Sequence, residues 1–299
     1  MSNPDKILGK IEKIGKNQVI LKLHDLYSVA DTVKTRLRIL EILNQLRDDN
    51  HFEEIENYFI SDKDSQVRME AAKLLAFNYN KKKAIKPLLW VLDHEEKNEV
   101  KLTALRLLIA LGSRVEFREI VIEYLKKAVR EGDEQIKSEA TEAIGFLREN
   151  SAEKDLIEML ESSNNGLKLQ AIRTLGVLKN KKAVPKIMQN LKLNNLLLWE
   201  ISFRALKKIL TNKQLNELSM NYLTQLEKER DSLQIAYLKC GLIKVIGELR
   251  LSDSAPFLLN FLKDYYQIVR EETINSLNKI VDGWRDKYKT VIRRKGIKV

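Results

Sequence analysis

The stretch that decides the fold is DSQVRMEAAKLLAFN, Asp64 to Asn78. An acidic residue suited to capping a helix leads it, an apolar residue and a base follow, and alanines stand where helices pack closest. DEQIKSEATEAIGFL at 133–147 and NNGLKLQAIRTLGVL at 164–178 keep the same order of chemical types. Anchored on the residue before the base, copies fall at Thr35-Arg36, Val67-Arg68, Val100-Lys101, Ile136-Lys137, Leu167-Lys168, Leu198-Trp199, Leu238-Lys239 and Val269-Arg270. Their intervals are 32, 33, 36, 31, 31, 40 and 31 residues. Four positions after the anchor stand Ile39, Ala71, Ala104, Ala140, Ala171, Ser202, Leu242 and Thr273, mostly small. Apolar residues follow seven and eight after it, so positions 4, 7 and 8 form one face of an α-helix. Asp64, Asp133, Asn164 and Asn195, three before their anchors, are placed to cap it.

A second, shorter amphipathic run lies upstream of each such helix, as in AIKPLLWVL (84–92), FREIVIEYL (117–125), AVPKIMQNL (183–191) and SAPFLLNFL (254–262). Pro87, Pro185 and Pro256 are expected near the starts of these runs, where a missing N–H costs little. Each repeat is therefore a helix pair. One pair cannot bury its apolar face alone, so neighbours must stack into a continuous core.

The phrases D-x-x-V-R-x-x-A-x-x-L-L and AVPKIMQNL…NN resemble HEAT repeats, particularly the short kind also seen in phycobilin lyases. The resemblance covers about residues 31–282 and implies an all-α fold, a right-handed α-solenoid of about eight HEAT-like helix pairs. The expected organisation is a single solenoid over 1–299, with capping helices in 1–30, repeats in 31–282 and a basic segment in 283–299. The Trp-Gly-Tyr pattern of tetratricopeptide repeats and the T-P-L-H of ankyrin are missing. Two copies depart from the pattern: the sixth has Trp199 in place of the base, and the seventh lacks a clear acidic cap.

Composition bounds the function. The chain has 299 residues, 44% hydrophobic and 32% charged, with few Gly and Pro, which suits a folded helical protein. The first twenty residues carry no secretory apolar stretch, and nothing approaches the roughly 18 uncharged residues of a membrane span. Lone Cys240 fits a reducing compartment, so a cytoplasmic location is expected. Net charge is +11, distributed as −1 over 1–60, +5 over 61–130, +2 over 131–210 and +5 over 211–299. Acidic partners are the natural complement.

The search for catalytic chemistry finds none of the usual constellations. His24, His51 and His94 lie in different repeats without a second His or Cys at ligand spacing, so no metal and no cofactor is expected. Phosphate-cradling Gly-rich loops and a nucleophile elbow are missing. Cys240 reads as a small core residue. The bases of the repeat phrase read as structural bridges, to a neighbouring repeat or to the turn before the helix. Trp90 reads as core, and Trp199 as the better candidate for contact with a ligand.

The candidate site is a stripe six positions after the anchor, on the second helix, which lines the concave face in HEAT solenoids. Lys73, Arg106, Arg173, Arg204 and Lys244 occupy it, beside Glu41, Glu142 and Asn275. With Trp199 they form the expected partner-binding set. The reading that follows is a non-catalytic, monomeric scaffold or adaptor for a protein partner or other acidic surface. Nucleic-acid binding is the alternative, on the architectural likeness to HEAT-like alkylpurine DNA glycosylases. A modification enzyme using the groove is a third reading. The basic tail 291–299 is expected to fray.

Overall fold

The computed structural model describes residues 3–47, 50–79, 81–192, 194–229 and 232–297, and these divide into two compact units, 1–143 and 144–299. Described residues form helices and turns without a strand.

In the first unit, α1 (Pro4–Leu8), α2 (Ile11–Ile14) and α3 (Lys16–Ser28) precede the first copy of the phrase, which forms α4 (Val33–Leu46). Then come α5 (Phe52–Ser61), α6 (Ser65–Asn78), α7 (Lys81–His94), α8 (Asn98–Gly112) and α9 (Val115–Glu131). The next helix, α10 (Glu134–Phe146), contains the division between the units. Pairs α3–α4, α5–α6 and α7–α8 pack together, and the second helices α4, α6 and α8 pack in succession. α1 lies against α3 and α4.

The second unit continues with α11 (Glu153–Glu158, prolonged by a 3-10 turn to Glu161) and α12 (Asn165–Val177). α13 (Val184–Met188) pairs with α14 (Leu196–Ile209), and α15 (Asn212–Leu226) with α16 (Leu233–Leu249). α17 (Ala255–Leu258) with its 3-10 extension to Lys263 packs on α18 (Gln267–Ile280), followed by α19 (Trp284–Lys287) and α20 (Lys289–Arg294). All eight copies of the phrase are thus second helices of an all-α repeat.

The reasons are local. Thr32, Asp64, Asn164, Asn195 and Ser232 each accept backbone N–H bonds from the first turn of their helix, satisfying donors that helix geometry leaves orphaned. Asp133 does the same for Gln135 and Ile136. Ser232 lies six residues before the seventh anchor rather than three, because α16 begins one turn early. Four after the anchor, all eight residues from Ile39 to Thr273 are fully buried.

A second register of small residues appears in the 144–299 unit. Gly145 meets Thr174, Gly176 meets Ala205 and Gly247 meets Ser276, so close that an added Cβ would lie 3.2, 2.9 and 2.5 Å from the neighbour. The glycine is nine after its anchor and its partner seven after the next.

Three expectations change. Pro185 and Pro256 do open their helices, but Pro87 is the seventh residue of α7 and deprives the Lys83 carbonyl of its helical donor. Trp90 is 46% exposed, because its first-helix stripe turns that position outward. The basic tail docks rather than fraying as far as Ile297: Trp284, Ile292 and Ile297 are buried, and Trp284 Nε1 donates to Asn278 at 2.8 Å. The last two residues of that tail lie outside the described residues. Among the described residues, no helix is long and apolar enough to cross a membrane.

Candidate functional site on the second helices

The base of the repeat phrase is a clamp between consecutive turns. Arg68 Nη1 donates to the Asp62 carbonyl six residues back at 2.7 Å, while Nε and Nη2 reach the Glu95 carboxylate of the next repeat at 2.8 and 3.0 Å. Arg36 repeats this with the Ala30 carbonyl at 3.0 Å and the Asp62 carboxylate at 2.8 Å. Lys239 bonds Asp264 at 2.9 Å, and Arg270 reaches the Asp264 carbonyl at 2.7 Å. These partners hold Arg36, Arg68, Lys239 and Arg270 against the repeat, as structural bridges, and Arg68 and Lys239 are 8% and 4% exposed.

Trp199 belongs to the same register and does the same work. It is 5% exposed, and its Nε1 donates to the Gly241 carbonyl at 2.9 Å, joining α14 to α16. Its expected place on a binding surface is corrected: the slot is buried here as at Arg68 and Lys239, and the indole spans to the next helix pair instead of meeting solvent. Gly241 is the counterpart. A Cβ at that position would sit 1.4 Å from the Leu191 carbonyl oxygen and 3.2 Å from the Trp199 ring. Lys244 covers the indole with its ammonium 4.6 Å from the ring centroid.

The stripe six after the anchor faces solvent as its register requires. Lys73, Arg106, Arg173 and Arg204 are exposed, and Lys244 is half-buried. Their surroundings differ between the units. In the first, Lys73 pairs with Glu70 at 3.0 Å and Arg106 with Glu139 at 2.8 Å, and that bond raises the Arg106 pKa. In the second, Arg204 meets Glu200 one turn back, Lys244 lies on Trp199, and Arg173 has no carboxylate partner among the described residues. Glu272 lies near Lys244 and Lys279; burial raises its pKa, and those two cations oppose the rise.

The contrast extends to total charge. Residues 1–143 carry 25 basic and 25 acidic residues, net zero, whereas residues 144–299 carry 28 and 17. The whole +11 therefore belongs to the second unit.

The histidines do not keep the separation expected of them. His24 and His51 come within 4.8 Å between ring centroids, because α5 packs its N-terminal end beside α3. His24 Nδ1 is 2.9 Å from Tyr58 Oη, and Tyr58 stacks on Tyr27, which donates to Asp62 at 2.6 Å. His94 instead stacks on Trp90. Among the described residues no three His, Cys, Asp or Glu side chains cluster to hold a metal ion. Cys240 is 1% exposed, and burial pushes its thiol up to about 12, which keeps it protonated.

Comparison with known proteins places this geometry. The family model for HEAT repeats matches residues 52–145 and 122–198. No curated protein matches the chain. Among solved structures, YibA of Escherichia coli is similar at a TM-score of 0.51 and 16% identity, over 93% of this chain and 97% of that one. The complex of CpcE and CpcF of phycocyanin lyase from Nostoc gives 0.43 and 15%, over 78% and 96%. Human deoxyhypusine hydroxylase in complex with glycerol gives 0.38 and 16%, over 90% and 98%. At 16% identity the likeness to YibA is one of fold and nothing more.

Proposed function

The chain belongs to the HEAT-repeat family, and on that premise we propose that it is a non-catalytic scaffold or adaptor binding an acidic segment of a protein partner. The binding surface is the second-helix face of the 144–299 unit, with Arg173, Arg204 and Lys244 as its principal cations. Lys73 and Arg106 occupy the same register in the first unit and, like Arg204 with Glu200, have carboxylate partners; what sets the second unit apart is Arg173, which has none among the described residues, and its net charge.

The observation that carries the proposal is the segregation of charge: an unpaired, exposed Arg173 in a unit with net +11, against a first unit of net zero. A field of one sign over one unit raises the encounter rate with an acidic ligand and orients it. Burial of Trp199 takes its indole out of the stripe and out of reach of base stacking, which favours a polypeptide over a nucleic acid there.

The test uses anisotropy of labelled poly-glutamate, with duplex and single-stranded DNA as comparison ligands, at low and high salt. Poly-glutamate is expected to bind, and to weaken with salt, since exposed charges are screened beyond about 8 Å at physiological ionic strength. Reversing Arg173→Glu and Arg204→Glu together is expected to weaken binding by more than about tenfold. Reversing Lys181 and Lys213, exposed residues outside the stripe, makes the same charge change as a control. Equal losses in both double variants reduce the site to bulk charge and end the proposal. Tighter binding of DNA through Arg173 and Arg204 would replace it with the nucleic-acid reading.

A further inference from the structure

The first unit holds a different kind of surface, on the outer side of its first helices. Between α7 and α9 lies a cavity of about 590 Å³. Its floor is apolar: Ile85 and Phe117 line it at 4% and 5% exposure, and Ile120 stands in its wall at 47%. Lys82, Lys86, Arg114 and Glu116 form the rim. Arg114 and Glu116 balance each other at 3.6 Å. Lys86 has no carboxylate partner among the described residues. One turn beyond Lys86, Trp90 extends the apolar strip with one face on His94 and the other open.

Helical spacing explains the arrangement. Lys82, Lys86 and Trp90 are separated by four residues each and share one face of α7; Phe117 and Ile120 are three apart on α9. Repeat packing needs only the inner faces of these helices. An apolar wall flanked by lysines on consecutive turns is therefore surplus to the fold, and its volume suits about two large side chains.

We propose that this groove docks an acidic amphipathic helix from a protein partner. The occupant's aliphatic residues, at i and i+3 or i+4, would fill the space over Ile85, Phe117 and Ile120. Its Asp or Glu residues on successive turns would meet Lys82 and Lys86, whose spacing of roughly 5–6 Å matches one turn of the incoming helix. The apolar floor of Ile85, Phe117 and Ile120 offers no hydrogen-bonding group to a sugar or base edge and suits aliphatic side chains, so the complementarity is to an acidic amphipathic polypeptide. This surface is independent of the second-helix stripe proposed above.

The experiment uses the full chain and a labelled, helix-forming probe peptide with leucines at i, i+3, i+4 and i+7 and glutamates flanking them. Two companion peptides replace the glutamates by lysine or the leucines by serine. In the Arg173→Glu, Arg204→Glu background, where the stripe no longer attracts acidic peptide, anisotropy is expected to show saturable binding of the acidic probe alone. Ile120→Asp and Lys86→Glu, both at exposed positions, are each expected to weaken it by about tenfold with unchanged far-ultraviolet circular dichroism. Binding that persists in that background, and that Ile120→Asp or Lys86→Glu weakens there, separates the groove from the stripe. The proposal is overturned if the acidic probe does not bind, if the lysine or serine peptide binds equally, or if only the stripe variant reduces affinity.

Discussion

At the residue scale, one position of the repeat phrase carries both cohesion and a lesson in reading. Arg68 joins the Asp62 carbonyl and the Glu95 carboxylate while almost out of solvent. Replacing one partner of such a pair strands the other in a medium that solvates it poorly. Arg68→Ala is expected to destabilise the protein by about 3 kcal/mol, while the paired change Arg68→Met with Glu95→Leu costs far less. Denaturant unfolding of the three proteins checks this; a loss under about 1 kcal/mol for Arg68→Ala would mean that the clamp is ornamental. That these bases bridge to turns was legible from their place in the pattern. The partners were not, because Asp62 and Glu95 lie in turns whose spacing varies between repeats. Trp199 was misplaced for a related reason: sequence shows that the residue type differs, but not that this indole turns inward to reach the Gly241 carbonyl.

At the element scale, capping chemistry and the four-seven-eight face located every second helix. The extra turn of α16 was hidden, since Ser232 offers the same chemistry as many loop serines. The glycines nine after the anchor were available in the sequence as a period, but their meaning depends on which residue faces them. Gly241 gives the sharpest consequence. Alanine there would drive a methyl group into the Leu191 carbonyl, so Gly241→Ala is expected to cost about 3 kcal/mol or more, as strong overpacking does. A variant with unchanged melting temperature would show that the turn at Leu191 and α16 do not meet in this way. The helix ends make the opposite prediction. Arg47, Arg148, Lys179 and Arg250 occupy left-handed backbone, with φ of 48°, 51°, 52° and 52°. At Lys179 the following N–H, from Asn180, bonds the Leu175 carbonyl at 3.0 Å, closing the helix in the manner usually given to glycine. Strain from Cβ outweighs the benefit of a cation beside helix carbonyls, about 0.3–1 kcal/mol. Changing all four to glycine is therefore expected to stabilise the protein by roughly 2 kcal/mol in total, since distant sites add. Calorimetry of the quadruple variant against the parent decides it, and a lowered melting temperature would refute it.

At the scale of the whole molecule, counting charge in arbitrary windows spread the excess thinly over three quarters of the chain. The division at 143/144 collects it into one half, which the sequence alone gave no reason to draw, because α10 runs through that point without a Pro- or Gly-rich linker. The expected single solenoid is a proposal with a direct test. A cut before Asn180 falls inside the second unit, where α12 packs on α14 and Gly176 lies against Ala205. It also separates the Asn180 amide from Glu153, a bond of 2.7 Å. Ala171 and Leu175 on one side and Ala205 and Leu206 on the other are buried, and none is suited to face water. Each buried Å² newly exposed costs about 25 cal/mol, while a fragment keeps the entropy cost of ordering its own helices. Fragments 1–179 and 180–299 are therefore expected to aggregate or to unfold without a sharp transition when expressed apart. Light scattering and thermal circular dichroism of the two fragments provide the measurement. Two monomeric pieces, each melting cooperatively with its native share of helix, would show that the stack is interrupted at that turn, and the single-solenoid reading would fall.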